Sequence, residues 1–240
     1  MSGRKRFFVE KINSDNTAVL DGDEFIHAKT VQRVDEGSEI CLLDGSGKEY
    51  TAIVTKIEKH RLTAHITGCA EGDKEPKTPV YLLIGALKGD KTELVVQKAC
   101  ELGAEKVGVF SSEYCSAFLN GNKIDRLKKV SKEGAKQCLR SKAPEIEYFD
   151  DFKSALDSAE NYDNKLFACE FAKSSEINLS SLKGSTAIVV GSEGGFSEKE
   201  AELAKKAGFS LVYLGKRILR AETAAIALMS IVAHSLGEME

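Results

Sequence analysis

Hydrophobic positions change their rhythm once along this chain. From residue 4 to 67 they fall in brief runs at 6–9, 17–20, 39–43, 49–57 and 61–66, each rich in Val, Ile, Thr or aromatics and bounded by turn residues. Short strands at this spacing predict a small barrel or sandwich. Residues 24–34 between them read as one short helix, and Asp44-Gly45-Ser46-Gly47 as a hairpin turn in which glycine supplies positive φ. The stretch 71–79 is polar and holds two of the three prolines, so it reads as an exposed connection. Domains are drawn accordingly at 1–72 and 80–240, with a linker at 73–79.

Beyond the linker, apolar strands at 80–86, 106–110, 165–169, 186–190 and 211–214 alternate with helical patterns at 91–102, 123–140, 198–207 and 222–236. That alternation predicts an α/β domain on a mostly parallel sheet. Such sheets bind ligands outside the carboxyl ends of their strands, which directs attention to the loops after 190 and 214.

The first of these loops is Gly191-Ser192-Glu193-Gly194-Gly195-Phe196. Its glycines let backbone groups approach a ligand without a Cβ in the way. Ser197 and Glu200 form a capping box, with Phe196 placed to staple onto the helix they open. The spacing departs from the dinucleotide fingerprint, as Gly45-Ser46-Gly47-Lys48 departs from the phosphate-loop pattern. The second loop, Leu214-Gly215-Lys216-Arg217-Ile218-Leu219-Arg220, enters a helix that is apolar on nearly every side. Such a helix must be buried all round, against its own sheet or a second subunit. Arg220 and Glu222 stand at its amino end, where a basic residue gains nothing from the helix dipole, so the pair reads either as a structural ion pair or as part of a site.

A third feature is basic. Residues 123–142 carry eight Lys and Arg against two acidic residues, while Ile124, Leu127, Ser131 and Cys138 fall at helical spacing. One stripe packs; the other face is either simply solvated or a phosphate contact. The full chain of 240 residues has a net charge of -3, so no global field draws it to nucleic acid and a local patch must do so. Its apolar fraction of 42% suffices for one or two cored domains. The longest apolar run, 224–233, falls short of the roughly 18 residues a membrane span needs. Residues 1–6 are basic but lack the apolar core of a signal peptide, so a cytoplasmic protein is expected. Six widely spaced cysteines with no Cys-x-x-Cys pair read as reduced thiols, and no metal site is expected.

Taken with Glu101-Leu102-Gly103-Ala104, the run 133–140 followed by Pro144, and Arg6-Phe7-Phe8-Val9 and 27–33 near the start, the two loops resemble the SPOUT-class methyltransferases. Within that class they resemble the RsmE family, which methylates N3 of a uridine in small-subunit (16S) ribosomal RNA. The resemblance covers nearly the whole chain. It implies a PUA-like β-barrel for RNA, a carboxy-terminal α/β domain tied in a trefoil knot, S-adenosylmethionine as cofactor, no metal, a homodimer, and ribosomal RNA or the small subunit as partner. It implies that Val190, Gly191, Gly194, Gly195, Leu214, Gly215, Ile218, Leu219 and Thr223 hold the cofactor. Arg220 would stabilise charge on the uracil oxygens, with Glu193 and Glu222 as candidates for proton handling or structural pairing. Arg6, His27, Arg33, Lys132, Lys136 and Arg140 would hold RNA, His27 being equally a structural histidine. Two departures stand out: Ser192 replaces the family's usual Pro, and no arginine lies near Tyr114-Cys115. Alternatives are a relative that methylates another RNA position such as a ribose 2'-hydroxyl, a non-catalytic RNA-binding or ribosome-assembly factor on the same fold, and a small-molecule nucleotide enzyme, which would leave the basic helix without a purpose.

Overall fold

The computed structural model describes residues 5–170 and 172–239, so part of the basic start weighed above as a leader lies outside the described residues. The backbone divides into two units. One takes the chain up to Glu75 together with Ala135–Ala143; the other takes Pro76–Gly134 and the chain from Pro144 onward. The strand-and-helix rhythm alone assigns 135–143 to the second unit, because nothing in a helix-forming segment announces where its far end docks.

The first unit is built on β1 (Lys5–Phe8), β2 (Thr17–Asp21), β3 (Glu39–Leu43), β4 (Lys48–Ile57) and β5 (Arg61–Glu71) in the order β1-β3-β4-β5-β2. Only the β1–β3 pair is parallel. Alternation puts Ala18, Leu20, Ile40, Leu42, Ala52, Val54, Leu62 and Ala64 into one core beneath Phe7 and Phe25. Register shifts at Thr51/Ala52 and Val54/Lys56 mark bulges that bend the sheet around that core. The helix expected at 24–34 is shorter: α1 (Gly22–Ile26) passes into a wide π turn at His27–Val31. Thr30 explains part of the change, since its hydroxyl donates to Ile26 O at 2.6 Å and competes with the ordinary helical ladder.

Segment 135–143 is fastened by one carboxylate. Glu75 accepts from Arg140 Nε and an Arg140 terminal nitrogen at 3.2 and 2.9 Å, and from the Ser141 and Lys142 backbone N–H groups at 2.7 and 2.9 Å. Burial works against its charge, but Arg140 and those N–H groups outweigh it and hold the Glu75 carboxyl below the usual carboxylate range.

In the second unit β6 (Val80–Gly85), β7 (Lys106–Phe110), β8 (Glu145–Phe149), β9 (Asn164–Ala168), β10 (Thr186–Val190) and β11 (Ser210–Val212) form a sheet in the order β11-β9-β10-β6-β7-β8. Every pair is parallel. Central strands are apolar on both faces, as a sheet covered on both sides requires. Leu82, Ile84, Ile188 and Val190 join one core with α2 (Lys91–Glu101) and α6 (Ala221–Ser235). Tyr81, Leu83, Ala187 and Val189 join the other with α4 (Phe152–Asp157) and Phe196. Helices α3 (Gly121–Gln137) and α5 (Glu198–Lys206) complete the unit. The parallel sheet is as expected, but β8 and α4 were not foreseen. β8 reads Glu-Ile-Glu-Tyr-Phe, an edge strand with one polar face, and α4 is a six-residue helix too short to show a period.

α6 is not buried all round. Ala225, Leu228, Met229 and Val232 face the core, yet Ile231 is 39% exposed, as is Leu94 of α2 at 40%. No helix among the described residues is long and apolar enough to cross a membrane.

Glu75→Ala leaves the Arg140 guanidinium buried without its carboxylate and is expected to cost about 3 kcal/mol in urea unfolding followed by circular dichroism. Because the folded carboxyl titrates below its unfolded value, its stabilisation is complete above the ordinary carboxylate range and is lost as pH falls through the lowered value. Native protein should therefore lose stability in acid more steeply than Glu75→Gln.

Candidate functional site

A cavity of about 560 Å³ opens at the carboxyl ends of β9, β10 and β11. That volume is ordinary for a small-molecule or cofactor site. Its walls are residues 168–170 after β9, 190–195 after β10, 212–221 after β11, and Lys91 at the start of α2 with Ala224 of α6.

The loop after β10 is pinned at both ends. At its exit Phe196 is buried, in one apolar cluster with Ala201 and Ala204 of the helix that follows, and its ring centroid is 4.4 Å from Phe167 and 5.2 Å from Phe152. The capping box forms as expected, Ser197 Oγ accepting from the Glu200 N–H and Glu200 from the Ser197 N–H at 2.9 Å. Glu200 also accepts from the Glu113 N–H at 2.9 Å, tying this loop to the segment after β7. Within the loop a Cβ on Gly194 would stand 2.6 Å from Tyr114 O, and one on Gly195, whose φ is +68°, would collide with the Glu170 carboxylate. Only glycine fits either place. Ser192 is buried, with its hydroxyl directed at Tyr114 O at 3.5 Å, so the position tolerates a serine.

Of the residues marked from sequence, Val190, Gly191, Gly194, Gly195, Leu214, Gly215, Ile218 and Leu219 all line the cavity, as do Glu193 and Arg220. Thr223 is exposed and lies outside the wall, turned away from it between Ala221 and Ala224, which do line it. Glu222 is also behind the wall, but it reaches Lys91 at 3.6 Å. Glu193 accepts from the Lys88 N–H and from Lys91 Nζ, each at 3.2 Å. Burial raises its carboxyl, but hydrogen bonds from its own and Lys88's N–H groups and from Lys91 bring it below the usual range. Arg220 is exposed and its side chain does not cap the helix it precedes. Ile218 is 93% exposed, an apolar side chain offered to whatever enters.

Sequence reasoning missed Lys91, Tyr213 and Glu170; the strand at 165–169 reads from sequence as one whose end approaches the cofactor, and Ala168 and Cys169 at that end do line the cavity.

The residues marked for RNA divide into two sets. Arg6 donates to both Glu49 oxygens at 3.0 and 2.7 Å, Lys136 pairs with Glu24 at 2.9 Å and lies 3.1 Å from His27 Nδ1, and Arg140 pairs with Glu75. Lys136 and Arg140 are buried, and His27 packs edge-on against Phe7. Arg33 and Lys132 are exposed.

Residues 73–233 match the model of an RNA methyltransferase domain, and residues 20–67 that of an RNA methyltransferase PUA domain. The chain is 34% identical to the ribosomal RNA small subunit methyltransferase E of Mesomycoplasma hyopneumoniae over 94% of this chain and 97% of the relative. It is 30% identical to the Bacillus subtilis protein of the same name, over 96% of each. The crystal structure of the Neisseria gonorrhoeae ribosomal RNA small subunit methyltransferase E, bound to S-adenosylmethionine, superposes with a TM-score of 0.87 at 30% identity, covering 98% of both chains. With a family model spanning most of the chain and full-length relatives on both sequence and fold, this chain belongs to the ribosomal RNA small subunit methyltransferase E family.

Proposed function

We propose that this chain methylates N3 of a uridine in small-subunit ribosomal RNA, with S-adenosylmethionine as donor, in the cytoplasm and as a homodimer. The observation that carries the reading is the cavity of about 560 Å³ walled by the loops at 190–195 and 212–221, the first of which Gly194 and Gly195 let pack directly against Tyr114 and Glu170. The residues present fit that cofactor. The exposed Ile218 can cover an adenine ring, and the carboxylates of Glu170 and Glu193 can take ribose hydroxyls or a positive charge. When bound, the cofactor supplies a methyl group on a sulfonium and leaves as a thioether.

The chain's own residues do the remaining work. Val190, Gly191, Gly194 and Gly195 with Leu214, Gly215, Ile218 and Leu219 bind and orient, and their loops exclude water from one side of the donor. Arg220, exposed at the mouth, places a cation where negative charge develops on the uracil oxygens as N3 is alkylated. Phosphate contact falls to exposed Lys123, Lys128, Lys129 and Lys132 along α3 and to Arg33, while the paired Arg6, Lys136 and Arg140 support the shape of the first unit. The trefoil knot belongs to the same reading, with the loops at 191–196 and 214–220 as its ligand-holding parts. The outward Ile231 and Leu94 are the apolar surface a second copy would cover.

Incubating the protein with small-subunit RNA and labelled cofactor, then digesting to nucleosides, is expected to yield N3-methyluridine; a 2'-O-methyl product would overturn the assignment. Arg220→Ala should lower kcat by about 10²–10³ with cofactor affinity retained, as loss of one charge-stabilising group does elsewhere. Gly194→Val should abolish cofactor binding in calorimetry. Ile231→Glu should turn the dimer into a monomer in sedimentation velocity.

A further inference from the structure

We infer that Lys216 and Arg217 hold the RNA phosphate that adjoins the target uridine, so that one loop takes the nucleotide by its backbone while Arg220 faces its base. The inference rests on the methyl transfer to RNA proposed above, and it gives a role to two residues that the glycine-loop motifs leave without one.

The carrying observation is a surplus of positive charge at the cavity. Its charged lining residues are Lys91, Lys216, Arg217 and Arg220 against Glu170 and Glu193, in a chain whose net charge is -3. Lys91 is engaged by Glu193 at 3.2 Å and by Glu222, behind the wall, at 3.6 Å. The side chains of Lys216, Arg217 and Arg220 make no ion pair or hydrogen bond among the described residues. S-adenosylmethionine brings a sulfonium, an ammonium and one carboxylate, a net charge of +1 at neutral pH. A wall built for that cation alone gains from carboxylates, and each further cation on it repels. With the cofactor added, the mouth is more positive than one uracil anion can offset. The surplus therefore belongs to a second anion that enters by the same mouth.

The loop is shaped to present it. Leu214 packs against the core beneath α6 and Leu219 is half-buried, which anchors the segment near both ends. Gly215, at φ +95°, makes the turn between the first anchor and the exposed run 216–218. A phosphodiester fits what is presented, because a guanidinium offers paired N–H donors to phosphate oxygens and a neighbouring ammonium adds a second charge. Arg220 follows Arg217 by three residues, which span at most about 11 Å of chain, so the base and the backbone of one nucleotide lie within reach of one loop. A uracil alkylated here must leave its stack to meet a methyl group held in the cavity. Gripping its phosphate at the mouth fixes where that base enters.

The test uses the full chain with small-subunit RNA and S-adenosylmethionine. As both side chains are exposed and unpaired, the fold does not depend on them. Lys216→Ala and Arg217→Ala should each raise the KM for RNA about tenfold, the weight of one hydrogen bond to a charged group, while the cofactor Kd from calorimetry changes by less than about threefold. Each should also reduce the slope of log affinity against log salt by about 0.7, as loss of one contact to single-stranded phosphate does. Arg217→Lys keeps the cation and should recover most of the affinity. RNA ligated with an uncharged methylphosphonate at either linkage flanking the target separates a local contact from a general field. At one of the two linkages native enzyme should show a KM about tenfold higher, and the variant carrying both Lys216→Ala and Arg217→Ala should not respond. An unchanged KM in both single variants would mean cations that are only solvated, and a weakened cofactor Kd with RNA affinity kept would mean that they hold the cofactor's carboxylate; either overturns the inference. So does a double variant as sensitive to the methylphosphonate as native enzyme. Native protein that transfers no methyl group to small-subunit RNA would refute the reaction and the inference with it, whereas the other outcomes, seen on an enzyme that turns over, overturn the inference alone.

Discussion

Backbone meets backbone where β6 and β10 leave the sheet. A Cβ on Gly85 would stand 2.5 Å from Ser192 N, so the last residue of one central strand and the loop after its neighbour share space that admits no side chain. From that contact the rest of the site follows. The loop cannot lift away because Phe196 is sunk among Phe110, Phe152 and Phe167, and it cannot slide because Ser197 and Glu200 fix the first turn of α5. A binding surface made of backbone is thereby held rigid before any ligand arrives, which lowers the ordering cost of binding.

Legibility from sequence followed the range of the forces involved. β3, β7 and β10 were read to the residue, since a run of apolar β-formers between turns depends on nothing far away. The capping box was legible for the same reason: its partners are three residues apart. β8 was not, because its alternation of Glu and apolar residues over five positions gives little signal, and the short α4 gives less. In the site, residues within the two glycine loops were found by motif, whereas Lys91 and Glu170 come from elements whose meeting with those loops is set by sheet order alone. Thr223 was carried along by its motif although the helix turns it outward.

Charge was the least legible property. A count of basic residues over 123–142 treats Lys136 and Arg140 like Lys128 and Lys132, yet the first two are buried against Glu24 and Glu75, more than 60 residues away in sequence. Arg6 is taken by Glu49 in the same manner. Burying an ion pair adds little net stability over an apolar pair, but it punishes any other arrangement heavily. These pairs therefore specify how the first unit closes.

The return of 135–143 to the first unit sets an order of events during synthesis. Domains usually fold as units, amino-terminal first, while the ribosome adds roughly 5–20 residues per second. Here the amino-terminal strands are all made by Glu71, but Glu75 has no Arg140 to bind until the chain has grown well beyond the first strands of the second unit. The nascent chain must therefore hold an unfinished first unit for seconds, its Glu75 carboxylate still without Arg140, before the segment that completes it leaves the exit tunnel.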